Sequence, residues 1–555
     1  MIALRPTFLA LAAVLAACAP ATPAVTSRPA PSAPANGNAN SSGDAAPKAS
    51  APSAPDAPDG PAEAPPAWQR LDIERGGVYG TGVDRALTEL LATRRPQRRV
   101  IVAVIDGGVD TAHAQLKPVL WTNTREVAGN GVDDDRNGFV DDVHGWSMIP
   151  KLPGDTGRYD TMELTRVYAA CRGLPAGRGL TKPDESICGE VAKTFREKAA
   201  EGAQMGNQIA MIRGMLTTTN ASLRRAMGTD TLSVTRVRAF TPATRADSNA
   251  KTMYLRLATA GIDSAAIAEA GEQLKASTWQ LDTLFDPRGV PHDRAGSADV
   301  TGPDAGHGTH VAGIIGAVAT AQQDVRGIAP NVSIMAIRAV PDGDERDDEV
   351  ARAIRYAADN GAQVINMSFG KGYSPGKPAV DSAVRYAAAK GVLMVHAAGN
   401  DGANTDEVPS FPSRRLAGGE EAPMWLEIGA SSWQPGPALP AEFSNYGART
   451  VDLFAPGVDI NSTVPGGGVG ENSGTSMAAP VVSGVAALLL SYFPTLTPEQ
   501  VKGIILETVR PLRDLEVTVP GGDTKAKFGT LSRTGGVIDA YAAVQRAIEL
   551  TRPVP

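Results

Sequence analysis

Short apolar runs alternate with helical patterns over most of the chain. The run from Val100 to Ile105 contains no polar residue, which is typical of a parallel strand buried on both faces. A helical pattern begins with the acidic residues Asp347 to Glu349 and stops before Gly361. The alternation predicts an α/β fold with a mostly parallel central sheet and helices on both faces. Further strand-like runs occur at Val332 to Ile337, Val364 to Met367 and Leu393 to Ala397.

The spacing of apolar residues changes between about residues 150 and 300. Apolar side chains recur there at helical spacing, on a stripe formed by Val191, Phe195, Ile209, Ile212 and Leu216. This stretch contains no cluster of ligand-type side chains. We therefore expect a packed, mainly helical insertion with solvated charges.

The first 18 residues have the pattern of an export signal. Arg5 precedes an apolar stretch from Phe8 to Ala17, which is too short to span a bilayer permanently. The stretch ends in Leu15-Ala16-Ala17-Cys18, which resembles the bacterial lipobox and implies a lipid on Cys18. An ordinary signal peptide with a chance cysteine is the alternative. We expect an exported, lipid-anchored protein of the cell envelope, with the outer membrane or cell surface favoured because Ala19 follows the anchor.

Residues 19–66 contain mainly Ala, Pro, Ser, Asn and Gly, so they cannot bury a core and are predicted to form a disordered tether. The rest of the chain has a globular composition, and 42% of all residues are apolar. The net charge of -7 and the absence of a long basic run argue against a nucleic-acid partner. We expect a monomer that contacts the membrane through its amino-terminal lipid.

The chain has three cysteines. If Cys18 is the anchor, Cys171 and Cys188 remain, and in an oxidising compartment such a pair favours a disulfide. A bridge of this length would stabilise the fold by about 3 kcal/mol in the chain-entropy model. Two free buried thiols are the alternative.

Three polar residues adjoin predicted strands and helices. Asp106 follows a strand, where α/β folds assemble their sites. His307 stands at the start of a helical pattern, and Ser476 begins an apolar helix whose free N–H groups favour a developing negative charge. Each alone is weak evidence, since such residues are often caps or structural groups. Together, in the order Asp, His, Ser, they predict a catalytic triad.

The motifs around these residues are Val104 to Asp110, Gly306 to Gly313, Asn366 to Gly370, Val395 to Asn400, Phe443 to Gly447, Leu453 to Gly457 and Asn472 to Pro480. In these motifs the chain resembles the subtilase family of serine peptidases, over about 68–149 and 301–547. The resemblance implies a three-layer subtilisin-like fold. Residues 67–149 and 301–550 are then two parts of a catalytic domain, and the insertion at 150–300 suggests a lid or a substrate-selecting wall.

The same resemblance implies a serine endopeptidase that hydrolyses protein or peptide substrates and needs no cofactor for its chemistry. Ser476 would be the nucleophile, His307 the general base and Asp106 its orienting partner. Asn400 would donate a side-chain hydrogen bond to the oxyanion. The residues implied to bind substrate and to wall the first specificity pocket are Ser368, Phe369, Gly370, Ala397, Ala398 and Gly399.

Two other functions are compatible with such a chain. A non-catalytic binding or scaffolding lipoprotein could keep the subtilase shell, although it need not keep all three triad residues and Asn400. A ligase or cyclase would let an amine intercept the acyl-enzyme, and nothing in the sequence excludes water from that step.

An acidic loop precedes Gly145-Trp146. Its oxygen-bearing side chains alternate around Gly138, as in the first half of a calcium-binding EF-hand loop, but His144 stands where that loop has its bidentate Glu. Shaping of an active-site edge is the alternative role. The structural Ca²⁺ ligands predicted on this basis are Asp133, Asp135, Asn137 and Asp141.

Overall fold

The computed structural model describes residues 63–150, 158–174, 185–259, 281–289 and 296–552. The expected export signal, the lipidation residue Cys18 and most of the expected tether lie outside these residues. The interpretations of those segments therefore stay predictions.

Thirteen strands occur in the described part of the chain. They are β1 Val100–Asp106, β2 Gly145–Ser147, β3 Val332–Arg338, β4 Val364–Met367, β5 Leu393–Ala397, β6 Trp425–Ser431, β7 Leu453–Pro456, β8 Ile460–Val464, β9 Gly468–Asn472, β10 Arg510–Pro511, β11 Glu516–Thr518, β12 Lys525–Lys527 and β13 Gly536–Val537. The strand-like runs of the sequence thus correspond to β1, β3, β4 and β5.

Nine of these strands form one sheet, in the order β10-β13-β7-β6-β5-β4-β1-β3-β2. Every neighbouring pair in it is parallel except β10 with β13. Strands β8 and β9 form a separate hairpin, as do β11 and β12. The predicted α/β fold with a mostly parallel central sheet is confirmed.

Ten helices of six or more residues accompany the strands in the described residues. Shorter helical segments lie at Trp68–Arg70, Ile73–Gly76, Val83–Arg85, Ala86–Leu90, Lys117–Val119, 281–284, Gly436–Ala438 and Phe528–Thr530. The ten helices are α1 Glu163–Cys171, α2 Glu185–Met227, α3 Val234–Ala239, α4 Arg245–Thr259, α5 Gly306–Gly316, α6 Asp347–Asp359, α7 Lys377–Ala389, α8 Thr475–Tyr492, α9 Pro498–Glu507 and α10 Ala540–Leu550. Of the described helices, α8 alone has the length and apolar composition of a membrane span, and 89% of it is buried in the protein. It is a core helix by that measure.

The described residues divide into two compact units. Residues 204–259 lie in one unit, and residues 63–203 and 281–552 lie in the other. Helix α1 and the beginning of α2 thus belong to the unit that contains the sheet. The insertion boundaries expected at 150 and 300 stay a prediction.

A disulfide joins α1 to α2. Cys171 and Cys188 are bonded, with their Cα atoms 5.6 Å apart, so the two free thiols weighed as an alternative do not occur. Beside the bridge, an apolar cluster connects the two helices through the buried side chains of Leu164, Val167, Val191 and Phe195. The cluster and the covalent link together fix α1 against the beginning of α2.

Candidate active site

Asp106 is the last residue of β1 and is 3% exposed. Its Oδ1 atom accepts a hydrogen bond from the backbone N–H of Gly107 at 2.7 Å. Strand β1 lies between β3 and β4, so Asp106 is placed at the carboxyl edge of the sheet, where ligands of α/β folds bind.

His307 lies in the first turn of α5 and faces Asp106. Its Nδ1 atom is 2.8 Å from Asp106 Oδ1 and 3.0 Å from Oδ2. A carboxylate only accepts hydrogen bonds, so Nδ1 carries the hydrogen and Nε2 is left as the basic nitrogen. The side chain is 43% exposed, so Nε2 can meet a substrate.

The contact between α5 and β1 depends on Gly308. A β-carbon at this position would lie 2.2 Å from the carbonyl oxygen of Gly108 and 3.0 Å from Asp106 Oδ1. Any larger residue would push the helix away from the end of the strand. The glycine therefore allows His307 to approach the carboxylate.

The pKa of His307 is raised above its ordinary value. Desolvation by burial lowers this pKa, but the charge of Asp106, its hydrogen bond and the charge of Asp304 raise it by more. Negative charge beside the ring thus stabilises the imidazolium form. That form is the one a general base produces when it takes a proton.

Ser476 is the second residue of α8 and bonds to Ser368, directly after β4. Its Oγ donates to the Ser368 carbonyl at 3.1 Å, and Ser368 Oγ donates to the Ser476 carbonyl at 2.9 Å. Met367 pairs with Ile105 in the sheet, so Ser368 lies level with Asp106 on the neighbouring strand. Among the described residues the Ser476 hydroxyl bonds to Ser368 and not to His307.

Asn400 faces the beginning of α8. Its Oδ1 atom accepts hydrogen bonds from the backbone N–H of Thr475 at 2.8 Å and from the Thr475 hydroxyl at 3.0 Å. The amide orientation follows, because only the oxygen accepts, and the Nδ2 group remains a donor. The point that a β-carbon on Gly474 would occupy lies 3.6 Å from both Asn400 Nδ2 and the backbone nitrogen of Ser476. The two donor nitrogens therefore border the same small space.

The predicted substrate-binding residues lie after two neighbouring strands. Ser368, Phe369 and Gly370 follow β4, while Ala397 ends β5 and continues into Ala398 and Gly399. Met367 pairs with His396, which brings the two segments side by side. Of the six residues, Gly370 is exposed, Gly399 is half-buried and the other four are buried.

His396, in β5, forms a hydrogen bond to the segment that follows β4. It is fully buried, and its Nε2 donates to the Phe369 carbonyl at 2.8 Å. Its Nδ1 is 2.8 Å from Glu427, which also accepts from the indole N–H of Trp425. The ring thus holds the Phe369 backbone beyond the point where the β4 ladder ends. His396 lies within the strand-like run Leu393 to Ala397, and the sequence pattern did not reveal this contact.

His310, three residues after His307, has a different environment. Its Nε2 donates to the Gly470 carbonyl at 3.0 Å. Burial lowers the pKa of His310 to about 4, so the ring is neutral at physiological pH. It acts as a structural partner of the β8–β9 hairpin.

The acidic loop groups a different set of carboxylates from the predicted one. One oxygen each of Glu126, Asp133 and Asp135 lies within 4.8 Å of the others. Asp141 points elsewhere, since its two oxygens accept from the backbone N–H groups of Asn130 and Gly131. Asn137 directs its amide nitrogen to the carboxylates of Asp135 and Asp142.

Arg158, at the beginning of the described part of the insertion, also reaches the site. Its guanidinium is 3.2 Å from Asp304 and 2.9 Å from Asp342. Asp304 in turn accepts from the backbone N–H of Gly306, next to His307, in a long bond of 3.4 Å. The sequence carried no signal of this contact, because it joins residues far apart in the chain.

A carboxylate, an imidazole and a hydroxyl at the carboxyl edge of a parallel sheet are the groups that serine hydrolases use. Residues 97–536 match the sequence model of the subtilase family, so the chain belongs to that family.

Individual relatives match parts of the chain. A thermophilic serine proteinase from Bacillus sp. (strain AK1) is 43% identical over 33% of this chain and 42% of its own length. Alkaline elastase YaB from Bacillus sp. (strain YaB) is 37% identical over 43% of this chain and 55% of its own length. Subtilisin DY from Bacillus licheniformis is 38% identical over 38% of this chain and 72% of its own length. The match thus spans about half the length, or less, of the first two relatives.

Among solved structures, a cold adapted subtilisin-like serine proteinase is 33% identical, with a TM-score of 0.33. That match covers 43% of this chain and 77% of the other.

Proposed function

We propose that this protein is a serine endopeptidase that hydrolyses peptide bonds through Asp106, His307 and Ser476. The observation that carries the proposal is the bond from His307 Nδ1 to Asp106 Oδ1 at 2.8 Å, which leaves Nε2 free to act as a base. Membership of the subtilase family and the serine proteinases among its relatives support the same activity.

In the proposed reaction, a substrate displaces the Ser368 carbonyl as the partner of the Ser476 hydroxyl. His307 Nε2 takes the hydroxyl proton while Oγ attacks the peptide carbonyl, and the imidazolium then protonates the leaving amine. Asp106 keeps the ring in the required tautomer and stabilises its charge. Water attacks the acyl-enzyme in the second half, with His307 again as base.

The oxyanion forms in the space bordered by Asn400 Nδ2 and the Ser476 backbone N–H. Two fixed donors at that point stabilise the negative charge only when it develops, so they lower the barrier rather than tighten substrate binding. No metal or cofactor takes part in these steps. The substrate lies extended along Ser368 to Gly370, where main-chain hydrogen bonds are indifferent to its sequence.

A direct test is hydrolysis of an unfolded protein such as reduced casein by the purified chain. We expect cleavage at internal bonds, and no cleavage by Ser476→Ala, which removes the nucleophile without changing its surroundings. Ser473→Ala is a matched control, because the Ser473 hydroxyl bonds to Asp459 and takes no part in the reaction. Equal cleavage by the Ser476→Ala protein would end the proposal.

We also propose that the protein is exported and anchored by a lipid on Cys18. The support is the charged and apolar pattern before the Leu15-Ala16-Ala17-Cys18 motif and the long Ala- and Pro-rich stretch after it, which is predicted to form a tether. In cells, Cys18→Ser should move the protein from the membrane to the soluble fraction. Retention of that variant in the membrane would contradict lipid anchoring.

We further propose that the acidic loop binds Ca²⁺ as a structural ion. Three carboxylates with oxygens within 4.8 Å of one another offer the hard, charged ligands that this cation prefers. Glu126, Asp133 and Asp135 would hold the ion.

A further inference from the structure

Two chain segments border the crevice beside Asp106. Strand β1 lies between β3 and β4 in the sheet, so the segments that leave β3 and β4 lie on opposite sides of its carboxyl end. The β4 segment begins with Ser368 and continues through Gly370 to Lys371. The β3 segment contains Asp344 and Glu345. A substrate that extends along Ser368 to Gly370 would occupy the groove between them.

Lys371 connects the two segments. Its side chain is 1% exposed, although it directly follows the exposed Gly370. Its Nζ atom donates to the Glu345 carbonyl at 2.6 Å, across the groove. The same ammonium contacts Glu163 at 2.6 Å and Asp347 at 2.9 Å. The groove is therefore bridged one residue beyond Gly370.

Helix α1 of the insertion covers this bridge. Glu163, in its first turn, binds the Lys371 ammonium and also accepts from Arg166 at 2.8 Å. Arg166 donates to the carbonyl oxygens of Asp344 and Glu345, both at 3.1 Å. The Glu163 and Arg166 side chains are only 4% and 3% exposed. Carbonyl groups that could face a substrate are thus occupied by the insertion.

Two further contacts fix α1 in this position. Tyr373, two residues after Lys371, packs against the apolar cluster that contains Leu164 and Val167. Before the helix, Asp160 N donates to the Asp342 carbonyl at 3.0 Å, and Asp342 N donates to the Arg158 carbonyl at 2.7 Å. The insertion therefore pairs with the β3 segment at one isolated parallel bridge, between Tyr159 and Asp342, just before α1.

We propose that α1 ends the substrate groove at Lys371, so that binding subsites stop about three residues from the scissile bond on its amino side. The inference rests on the proposed peptidase function. Ser368, whose carbonyl meets the nucleophile, marks the scissile position, and Lys371 follows three residues later. The leaving amine must lie beside His307, which protonates it. The acyl half of the substrate is therefore the half that runs along Ser368 to Gly370.

The consequence is a substrate preference. A strand advances about 3.3 Å per residue, so roughly 10 Å of groove accepts about three amino-side residues. Residues farther out must turn into solvent and contribute no binding. The protein should therefore read a short amino-side sequence and cleave near a chain end or in a loop that can bend away.

The test uses the full chain and capped peptides with one to five residues before a fluorogenic leaving amide. We expect kcat/KM to rise up to the third residue and to change by less than about twofold with the fourth and fifth, because only bound residues contribute to transition-state binding. A continued rise through the fifth residue would overturn the inference while leaving the peptidase assignment intact. No hydrolysis of any peptide in the series would instead contradict the proposed function.

A variant then tests whether α1 is the cause. Glu163→Ala with Arg166→Ala removes both α1 side chains that contact the bridge. As the groove lengthens, the ratio of kcat/KM for five-residue over three-residue peptides should rise at least about fivefold in a folded double variant. Glu201→Gln is the matched control, since Glu201 and its partner Lys198 are both exposed on α2 and their ion pair does not include Lys371, Glu163 or Arg166. An unchanged length profile in the folded double variant would refute the role of α1. If circular dichroism shows that the double variant is unfolded, the wild-type series decides.

Discussion

His307 Nδ1 donates its hydrogen to Asp106 Oδ1 across 2.8 Å, and the two residues are 201 positions apart in the chain. The bond fixes both the tautomer and the direction of the ring. The long insertion between the two residues does not disturb it, because Ser147, before the insertion, and Ser297, near its end, are joined by two backbone hydrogen bonds.

The first prediction concerns pH. Because the pKa of His307 is raised, the neutral base is lost as pH falls through that raised pKa, and kcat/KM should fall with it. Asp106→Asn removes the largest influence that raises the pKa of His307. The acidic limb of the pH–rate profile should therefore move to lower pH, and kcat should drop about 10,000-fold. Asp304→Asn should move the limb in the same direction by less, with activity largely kept. A pH–rate profile that does not move in either variant would contradict this account of the base.

The second prediction concerns the oxyanion. Asn400→Ala should lower kcat by about 100- to 1,000-fold with little change in KM, a cost of roughly 3 to 4 kcal/mol in the transition state. Asn400→Asp is the sharper variant, since it keeps the acceptor for Thr475 and replaces only the donor. It should be at least as slow as the Ala variant. Steady-state kinetics measure the effect. A change confined to KM would show that Asn400 stabilises the bound substrate and the transition state equally.

Local patterns predicted the main strands and the start of the catalytic helices well. The run Val100 to Ile105 has the pattern of a buried parallel strand and forms β1, and the apolar stretch after Ser476 has the pattern of a core helix and forms α8. Contacts between distant segments left no such signal. Glu163 and Lys371 are separated by 208 residues, and each alone has the pattern of a solvated surface charge.

The acidic loop illustrates a second limit. Alternating acidic residues predicted Asp141 as a ligand, but its backbone has φ 59°, which turns the carboxylate towards Asn130 and Gly131. A single residue in the left-handed region changes the direction of a loop, and spacing cannot reveal it. Glu126, which has an oxygen within 4.8 Å of one from each of Asp133 and Asp135, was not among the predicted ligands because it lies outside the acidic run.

The third prediction follows from that difference. Calorimetric titration with CaCl₂ should give binding heat for the wild type, and chelation should lower the melting temperature. Asp133→Asn and Glu126→Gln should abolish the heat, while Asp141→Asn, whose oxygens are engaged by backbone N–H groups, should retain it. Loss of binding in Asp141→Asn alone would favour the ligand set predicted from the sequence.

The fourth prediction concerns the disulfide. Replacing Cys171 and Cys188 by Ser should reduce the free energy of unfolding by about 3 kcal/mol, because the bridge restricts the unfolded chain. Urea unfolding followed by circular dichroism measures the change. Cys18→Ser is the control and should leave the midpoint unchanged. If the double Ser variant unfolded at the same urea midpoint as the wild type, the packing of α1 against α2 would account for the stability without the disulfide.

Ser476 is proposed to be a nucleophile that His307 activates. Incubation with a fluorophosphonate probe, followed by digestion and mass spectrometry, identifies the labelled residue. We predict one adduct, on the peptide that contains Ser476, with none in Ser476→Ala or in wild-type protein below the pKa of His307. Labelling of another serine, or no labelling of the folded protein near neutral pH, would contradict the account.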